Sequence, residues 1–353
     1  MITETDDFFC HQTIQPHAYV ALNDLSWGER AYHTLSDPDR FGLDIGVATY
    51  PNRGMFHTYA IAAVPGRQWS LRATRDYSEG RWELRAGPIQ AKIVEPMRRW
   101  TYTCGPNESG IEFDLEFQAR NGPYMIGQPP IRKGGRLIHE DVYVFQVGFY
   151  SGTVTLDGTT FDVDRVPGAR DRTWGIRAAG EGQLPHGVLA WLNANFDDVS
   201  IIAHIRDRGD DVPQVRDGAV YRDGGDIVPI VGFEHDLRFD YETRQCEGGT
   251  IVLTDARGEV WPIEIDPASR LEDPILRRIA WRQDDGGEGR VAAWDLERDR
   301  DAGLGHGGLG RSDRDRCRQD DGGGGRVGAL GLQGDRENGQ GRGELGRREL
   351  DRC

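Results

Sequence analysis

Apolar and polar residues alternate along most of this chain with a period of two. The clearest run is "IEFDLEFQAR", in which Ile111, Phe113, Leu115 and Phe117 fall on one face and Glu112, Asp114, Glu116 and Gln118 on the other. That is the signature of a half-buried strand. "DVYVFQVGFYSGTVTLDGTTFDVD" continues with two strands about Asp157-Gly158, a pair that tolerates the positive φ of a tight hairpin. Similar strand-turn-strand units are expected at "TIVLTDARGEVWPIEID" and around Asp217-Gly218. Helical periodicity is almost absent; short helices are expected only at "SDPDRFG" and "SRLEDPILRRIA", each opened by a capping Ser. The pattern predicts an all-β chain of antiparallel strands connected as a meander and curled into a sandwich or barrel. At 353 residues the chain exceeds what one core usually fills, and two consecutive barrels account for the length. The expected division is a first barrel over 1–165 and a second, incomplete at its end, over 166–283.

The pattern stops near Gln283. From Asp284 to Cys353 there is no Ile, Phe, Tyr, Pro, Lys, Thr or Met, and Gly, Arg, Asp and Glu dominate. Such a stretch lacks the apolar area to offset the entropy of ordering, so 284–353 is expected to be a disordered tail. A shifted reading frame in a GC-rich gene would produce the same text. "GLGHGGLG" in this tail matches the dinucleotide-binding glycine pattern, but no strand precedes it and no helix follows.

Charge narrows the partners. The net charge of −15 argues against a surface that tracks phosphates, so no nucleic acid is expected. "MITETDDFFCHQ" lacks the basic and apolar regions of a secretory leader, and no segment approaches the roughly 18 to 20 apolar residues of a membrane helix. A cytoplasmic location is the expectation. The five scattered cysteines form no Cys-x-x-Cys pair, which predicts free thiols.

Chemistry concentrates in "GARDRTWGIR", residues 168–177, where Arg170, Arg172 and Arg177 crowd around Asp171 and Trp174. Three arginines are costly to bury unpaired, so Asp171 is expected to neutralise at least one of them and to be held ionised in return, while Trp174 offers a face for a guanidinium. Such a knot would either plug a barrel end or serve catalysis. In either case Arg170, Gly175 and Arg177 are read as structural.

The element Asp171-Arg-Thr-Trp-Gly175, preceded by "GPIQAKIVEPMRRWTYTC" and "WGERAYHTLSDPDRFGLDIGVATYPN", resembles the carotenoid 1,2-hydratases (hydroxyneurosporene synthases) and their AttH-type relatives, over about residues 10 to 283. The resemblance implies two tandem lipocalin-like (calycin) barrels with a hydrophobic ligand site. It also implies hydration, dehydration, isomerisation or cyclisation of isoprenoid or polyketide substrates without a redox cofactor. The family usually carries His where this chain has Arg172, and its Tyr-x-Asp is missing from "NFDDVSIIAHIRD".

A poorly solvated barrel interior raises a carboxylic acid's pKa, so acid–base work needs only a buried carboxyl or imidazole. Asp171, Glu29 and His204 are the candidate catalytic residues; Trp174, Arg172, Trp191, His33 and His57 are the candidate ligand-binding ones. Each has a plainer reading. Glu29 and Arg30 would form a surface pair. With Val199, Ile201, Ala203 and Ile205 on the core face, His204 would be a half-buried surface histidine. The tryptophans would be core. "HED" at 139–141, "EHD" at 234–236 and the His11/His17 pair supply metal-ligand types at spacings that face opposite ways on a strand, so no metal is expected, nor any other cofactor. The sequence therefore leaves two functions open: a cofactor-independent hydratase, dehydratase, isomerase or cyclase acting on an isoprenoid or steroid-like lipophile, and a non-catalytic carrier of a hydrophobic small molecule.

Overall fold

The computed structural model describes residues 2–11, 23–37, 40–76, 83–177, 188–207, 213–240, 245–265, 278–282 and 288–293. Among these the chain is all-β, with two short 3₁₀ turns at Glu4–Asp7 and Pro51–Arg53 and no α-helix.

Twelve strands form the first sheet. In chain order they are β1 (Trp27–Asp37), β2 (Phe41–Tyr50), β3 (Met55–Val64), β4 (Arg67–Asp76), β5 (Leu84–Ala86), β6 (Ile89–Glu95), β7 (Arg99–Cys104), β8 (Ile111–Ala119), β9 (Tyr124–Ile126), β10 (Ile131–Lys133), β11 (Arg136–Leu156) and β12 (Thr159–Arg177). Their order is β4-β3-β2-β1-β12-β11-β8-β7-β6-β5, with β9 and β10 also pairing to β11. The two ends of this path nearly meet: Thr58 Oγ1 on β3 donates to Ala86 O at 3.0 Å, and Arg75 Nε on β4 donates to Arg85 O at 2.6 Å. Those bonds draw the sheet into a nearly closed barrel, whose filling comes from the inward rows of each strand, among them Leu35, Phe41, Phe56, Trp100, Tyr102, Phe117 and Tyr150.

The second sheet is a half-barrel. It holds β13 (Val188–Asn195), β14 (Val199–Asp207), β15 (Pro213–Arg222), β16 (Ile227–Asp240), β17 (Gln245–Asp255), β18 (Val260–Ile265), β19 (Arg278–Arg282) and β20 (Glu288–Ala293), in the order β18-β17-β16-β15-β14-β13-β20-β19. One of its faces covers a core of its own that includes Leu192, Ile201, Ile205, Leu253 and Ile263. Its other face packs on the outside of the first barrel through a third cluster, including Ile126, Phe145, Val147, Trp191, Ile202 and Tyr221. Arg120 fastens this seam: its Nη1 donates to Phe196 O at 2.7 Å and to Ser200 Oγ at 3.0 Å, and its Nε to Asp223 at 2.5 Å.

Several sequence expectations change here. Asp157-Gly158 is the two-residue turn joining β11 to β12, with φ of 49° and 84°. Asp217-Gly218, by contrast, is no turn: both residues lie inside β15, and the chain reverses after Arg222. Asp217 is there for its side chain, which accepts from Tyr124 OH at 2.7 Å and from Gly127 N at 2.6 Å across the seam. A Cβ at Gly218 would sit 2.2 Å from Ile202 O. Nor does a helix occur among the described residues of "SDPDRFG": Ser36 and Asp37 end β1 and Phe41 and Gly42 open β2, because both strands have core-facing residues at period two. Of "SRLEDPILRRIA" only 278–280 are described, as strand. The connectivity departs from a simple meander where β1 pairs with β12, β11 with β8 and β13 with β20. The expected boundary at 165/166 falls within β12, which pairs along its length with first-sheet strands, while the second sheet begins at Val188. The expected tail lies outside the described residues except for β20, whose backbone pairs with β13 and β19.

Candidate functional site

Alternation along β12 sorts "GARDRTWGIR" onto two faces. Arg170, Arg172 and Trp174 point into the first barrel, whereas Ala169, Asp171 and Thr173 point outward to the seam, since successive strand residues face opposite ways. Asp171 therefore cannot neutralise Arg170 or Arg172. Only Arg177 shares its face.

The interior arginines find other partners. Arg170 Nη2 lies 2.8 Å from Asp7 Oδ1, and Gln146 Oε1 accepts from its Nε at 2.8 Å; the guanidinium also stands 5.1 Å from the Trp100 ring. Asp7 is fully buried, and its Oδ2 accepts from Met97 N at 2.5 Å and Trp100 Nε1 at 2.8 Å. Arg172, equally buried, donates to Glu29 Oε2 at 3.0 Å, to Phe8 O at 2.8 Å and to Arg30 O at 3.0 Å, with the Phe9 ring 4.0 Å below it. Glu29 also accepts from His11 N at 2.8 Å and bonds His11 Nδ1 at 2.9 Å, and the His11 ring stacks on Trp174 at 3.6 Å. Burial pushes the Glu29 carboxyl up, but the His11 hydrogen bond and Arg172 outweigh it and hold it below the usual range. Residues 2–11 thus seal this part of the barrel with charge-assisted bonds. Deeper in, His33 lies between Tyr102 OH, which bonds its Nε2, and Tyr150 OH, 3.0 Å from its Nδ1; burial, with Arg170 nearby, takes the imidazole well below its usual range.

The seam face is arranged in cross-strand rows. Asp171 stands between Tyr32 on β1 and Phe145 on β11, its register partners on either side, and Tyr124 follows Phe145. Opposite lies the row Trp191, His204 and Asp217 of β13, β14 and β15. Trp191 bridges the rows: its ring is 4.9 Å from that of Phe145 and 5.9 Å from that of Tyr32. It therefore rests over the position of Asp171. In the next row Tyr143 OH donates to Asp171 Oδ2 at 2.9 Å, and its ring stands 5.7 Å from that of His204. Asp171 is 7% exposed. Burial pushes its carboxyl up to about 7, helped by Asp141 and opposed by the Tyr143 hydrogen bond and by Arg177 and Arg30. A second seam-face carboxyl behaves alike: burial takes Asp44 up to about 7, against the hydrogen bonds of Thr34, at 2.9 Å, and Tyr32. The neighbouring Asp141 is held low, because its bond to His139 at 2.9 Å and the charges of His139, Arg177 and Arg30 overcome the effect of burial.

Gly175 ends the element at φ 137°, and a Cβ there would lie 2.3 Å from Glu140 O on β11. Both the dihedral and the backbone approach require glycine. Gly175→Ala is expected to lower the unfolding free energy by about 3 kcal/mol, measured by chemical denaturation.

Three comparisons bear on this geometry. The model of a family of unknown function (DUF8625) matches residues 2–272. The chain belongs to that family. Among solved structures, a candidate AttH from Nitrosomonas europaea aligns to this DUF8625 protein at 12% identity over 76% of this chain and 92% of its own, with TM-score 0.54. Kievitone hydratase from Nectria haematococca aligns at 10% identity over 83% and 91%, with TM-score 0.46, and CghA in complex with Sch210972 at 13% over 81% and 92%, also at 0.46. The first of these shows a shared fold. No curated protein matches the chain.

The DUF8625 chain thus divides the residues singled out from sequence. Asp171, Trp191 and His204 meet at the seam. Glu29, His33, Arg170, Arg172 and Trp174 face the interior of the first barrel. His57 belongs to neither group: on the seam-side face of β3, it is separated from Tyr143 in its row by Ala48, Arg30 and Thr173, and burial with Arg72 nearby takes its imidazole down to about 4. Glu29 is no surface partner of Arg30 but a buried, ionised anchor for Arg172, ill-suited to donate a proton. His204 is buried rather than half-exposed, because the first barrel covers its face. Arg177 reaches Asp171 by its charge, so the expectation that an arginine attends Asp171 holds for this one alone, and burial wins over it. Sequence reasoning missed Asp7, Tyr143 and Asp44, and considered His11 only as a metal-ligand type, not as a partner of Glu29. Among the described residues no cluster of three metal-ligating side chains occurs, and no helix is long and apolar enough to cross a membrane; His17 lies outside them.

Proposed function

We propose that this protein is an acid–base enzyme acting on a lipophilic small molecule of isoprenoid or steroid-like size at the seam between its two sheets, adding or removing water or moving a double bond. The observation that carries this reading is the buried Asp171 carboxyl, set between Tyr32 and Phe145, on whose rings Trp191 packs, and held by Tyr143 OH at 2.9 Å. A carboxyl that titrates near 7 exists in both forms at working pH, which is the condition for efficient general acid–base catalysis. In hydration the Asp171 hydroxyl gives its proton to an alkene carbon, water adds to the resulting cation, and the water's proton returns to the carboxylate. Dehydration is the reverse, and isomerisation delivers and removes the proton at different carbons. Tyr143 stabilises the carboxylate through the hydrogen bond it already makes, and His204, beside the Tyr143 ring, is placed to hold water or a substrate hydroxyl. Trp191 supplies the apolar face. Arg172 and Trp174, on the interior face, act in this scheme through the barrel's architecture.

Mass spectrometry of organic extracts from the purified protein, wild type beside Asp171→Asn, tests the proposal. The expected result is a lipophile enriched in the variant that differs from the wild-type species by one water, or by isomer retention time. The same species in both would make the protein a carrier. No lipophile in either would end both readings.

A further inference from the structure

The seam-facing side of the second sheet is unusually polar for a buried surface. On β13, Trp191, Asn193 and Asn195 share that face, and all are at least nine-tenths buried. Two of them leave a donor unmatched: neither Trp191 Nε1 nor Asn193 Nδ2 has a hydrogen-bond partner. Tyr221 OH, on the same face two strands away, is a third such group. A buried polar hydrogen left unmade costs about 1–3 kcal/mol, so neighbouring orphans on one face call for a reason.

The polarity of the Asn193 amide is imposed from a distance. Arg120 can only donate, and its Nη1 donates to Ser200 Oγ at 3.0 Å. Ser200 then donates to Asn195 Oδ1 at 2.8 Å, and Asn195 Nδ2 donates to Asn193 Oδ1 at 2.9 Å. A guanidinium at one end thus orients every amide in the chain and leaves the Asn193 NH₂ as its free terminus. Two residues earlier on the same face of β13 is Trp191, whose indole N–H also can only donate and whose ring packs on Tyr32 and Phe145, the register neighbours of Asp171.

From this arrangement we infer that Trp191 Nε1 and Asn193 Nδ2 form a donor pair for an acceptor oxygen, so that the substrate is a carbonyl-bearing lipophile such as an enone or an aryl ketone rather than a pure hydrocarbon. The inference deepens the proposed function and rests on it. Trp191 and Asn193 set specificity and orientation: they hold the carbonyl while the carbon skeleton meets Asp171.

The test compares two probes of nearly equal shape, 2-acetylnaphthalene and 2-isopropenylnaphthalene, which differ by an oxygen in place of a methylene group. Their binding to the full chain is followed by calorimetry. The ketone is expected to bind about tenfold more tightly than the alkene. Asn193→Leu and Trp191→Phe should each narrow that preference to within about threefold, whatever either does to the affinity for the alkene itself. Asn193→Asp, which keeps the shape and replaces the donor by an acceptor, should abolish the preference, and serves if the leucine variant does not fold. Equal binding of both probes to the wild type, or a preference unchanged in all folded variants, would overturn the donor pair and leave the proposed function standing. Binding of neither probe would remove the lipophile site and the donor pair together.

Discussion

Asp7→Ala is expected to destabilise the fold by about 3–5 kcal/mol, the loss typical of leaving one member of a buried ion pair without its partner. The substitution strands Arg170, which is 1% exposed, and also removes the acceptor for Met97 N and Trp100 Nε1. The cost comes from the uncompensated charge, not from the value of the pair itself. Replacing both members, Asp7→Leu with Arg170→Met, removes the stranded charge and should therefore cost less than Asp7→Ala alone, the remaining loss coming from Met97 N and Trp100 Nε1, which still lack their acceptor. Urea denaturation of the single and double variants beside the wild type distinguishes this from a simple packing loss, in which the double variant would be the least stable.

Asp171→Asn is expected to have opposite effects on turnover and on stability. Turnover on the lipophile should fall by about 10²- to 10⁴-fold, the usual contribution of a general acid or base. Stability should rise, and only above mildly acidic pH. With the folded carboxyl near 7 and an ordinary value of 3.8 when unfolded, the folded state binds the extra proton between those limits. Wild-type stability therefore falls as pH rises from about 4 to about 7 and stays low beyond it. At pH 8 the full penalty, on the order of 4 kcal/mol, is present in the wild type, and the amide of the variant does not incur it. At pH 4 wild type and variant should melt alike. Asp44 adds a penalty of the same sign over the same window, which Asp171→Asn leaves in place, so the difference between the two proteins isolates Asp171.

Much of this was legible in the sequence. The period of two predicted strands where they occur, and Asp157-Gly158 marked the hairpin that creates β12. The same parity, applied within "GARDRTWGIR", separates Asp171 from Arg170 and Arg172; pairing them by proximity in sequence overlooked a rule that the strands around them obeyed. Parity also placed His204 opposite Val199, Ile201, Ala203 and Ile205. What it cannot supply is the covering layer: His204 and Asp171 are buried because two sheets meet there, and sheet packing leaves no local signal. Nor did anything near β12 point to Asp7 and His11, which arrive from the far N-terminus to meet Arg170 and Glu29. Asp217-Gly218 misled because its composition suits a turn, whereas tertiary contacts use the carboxylate for Tyr124 and the missing Cβ for strand approach.

A protonatable carboxyl at the seam is the central claim. The most direct measurement is the carboxyl ¹³C chemical shift of Asp171 as a function of pH, assigned by its disappearance in Asp171→Asn. A midpoint of about 7 is the predicted result. A midpoint near 4 or below would mean that the arginines hold Asp171 ionised after all, and that the seam has no proton to give.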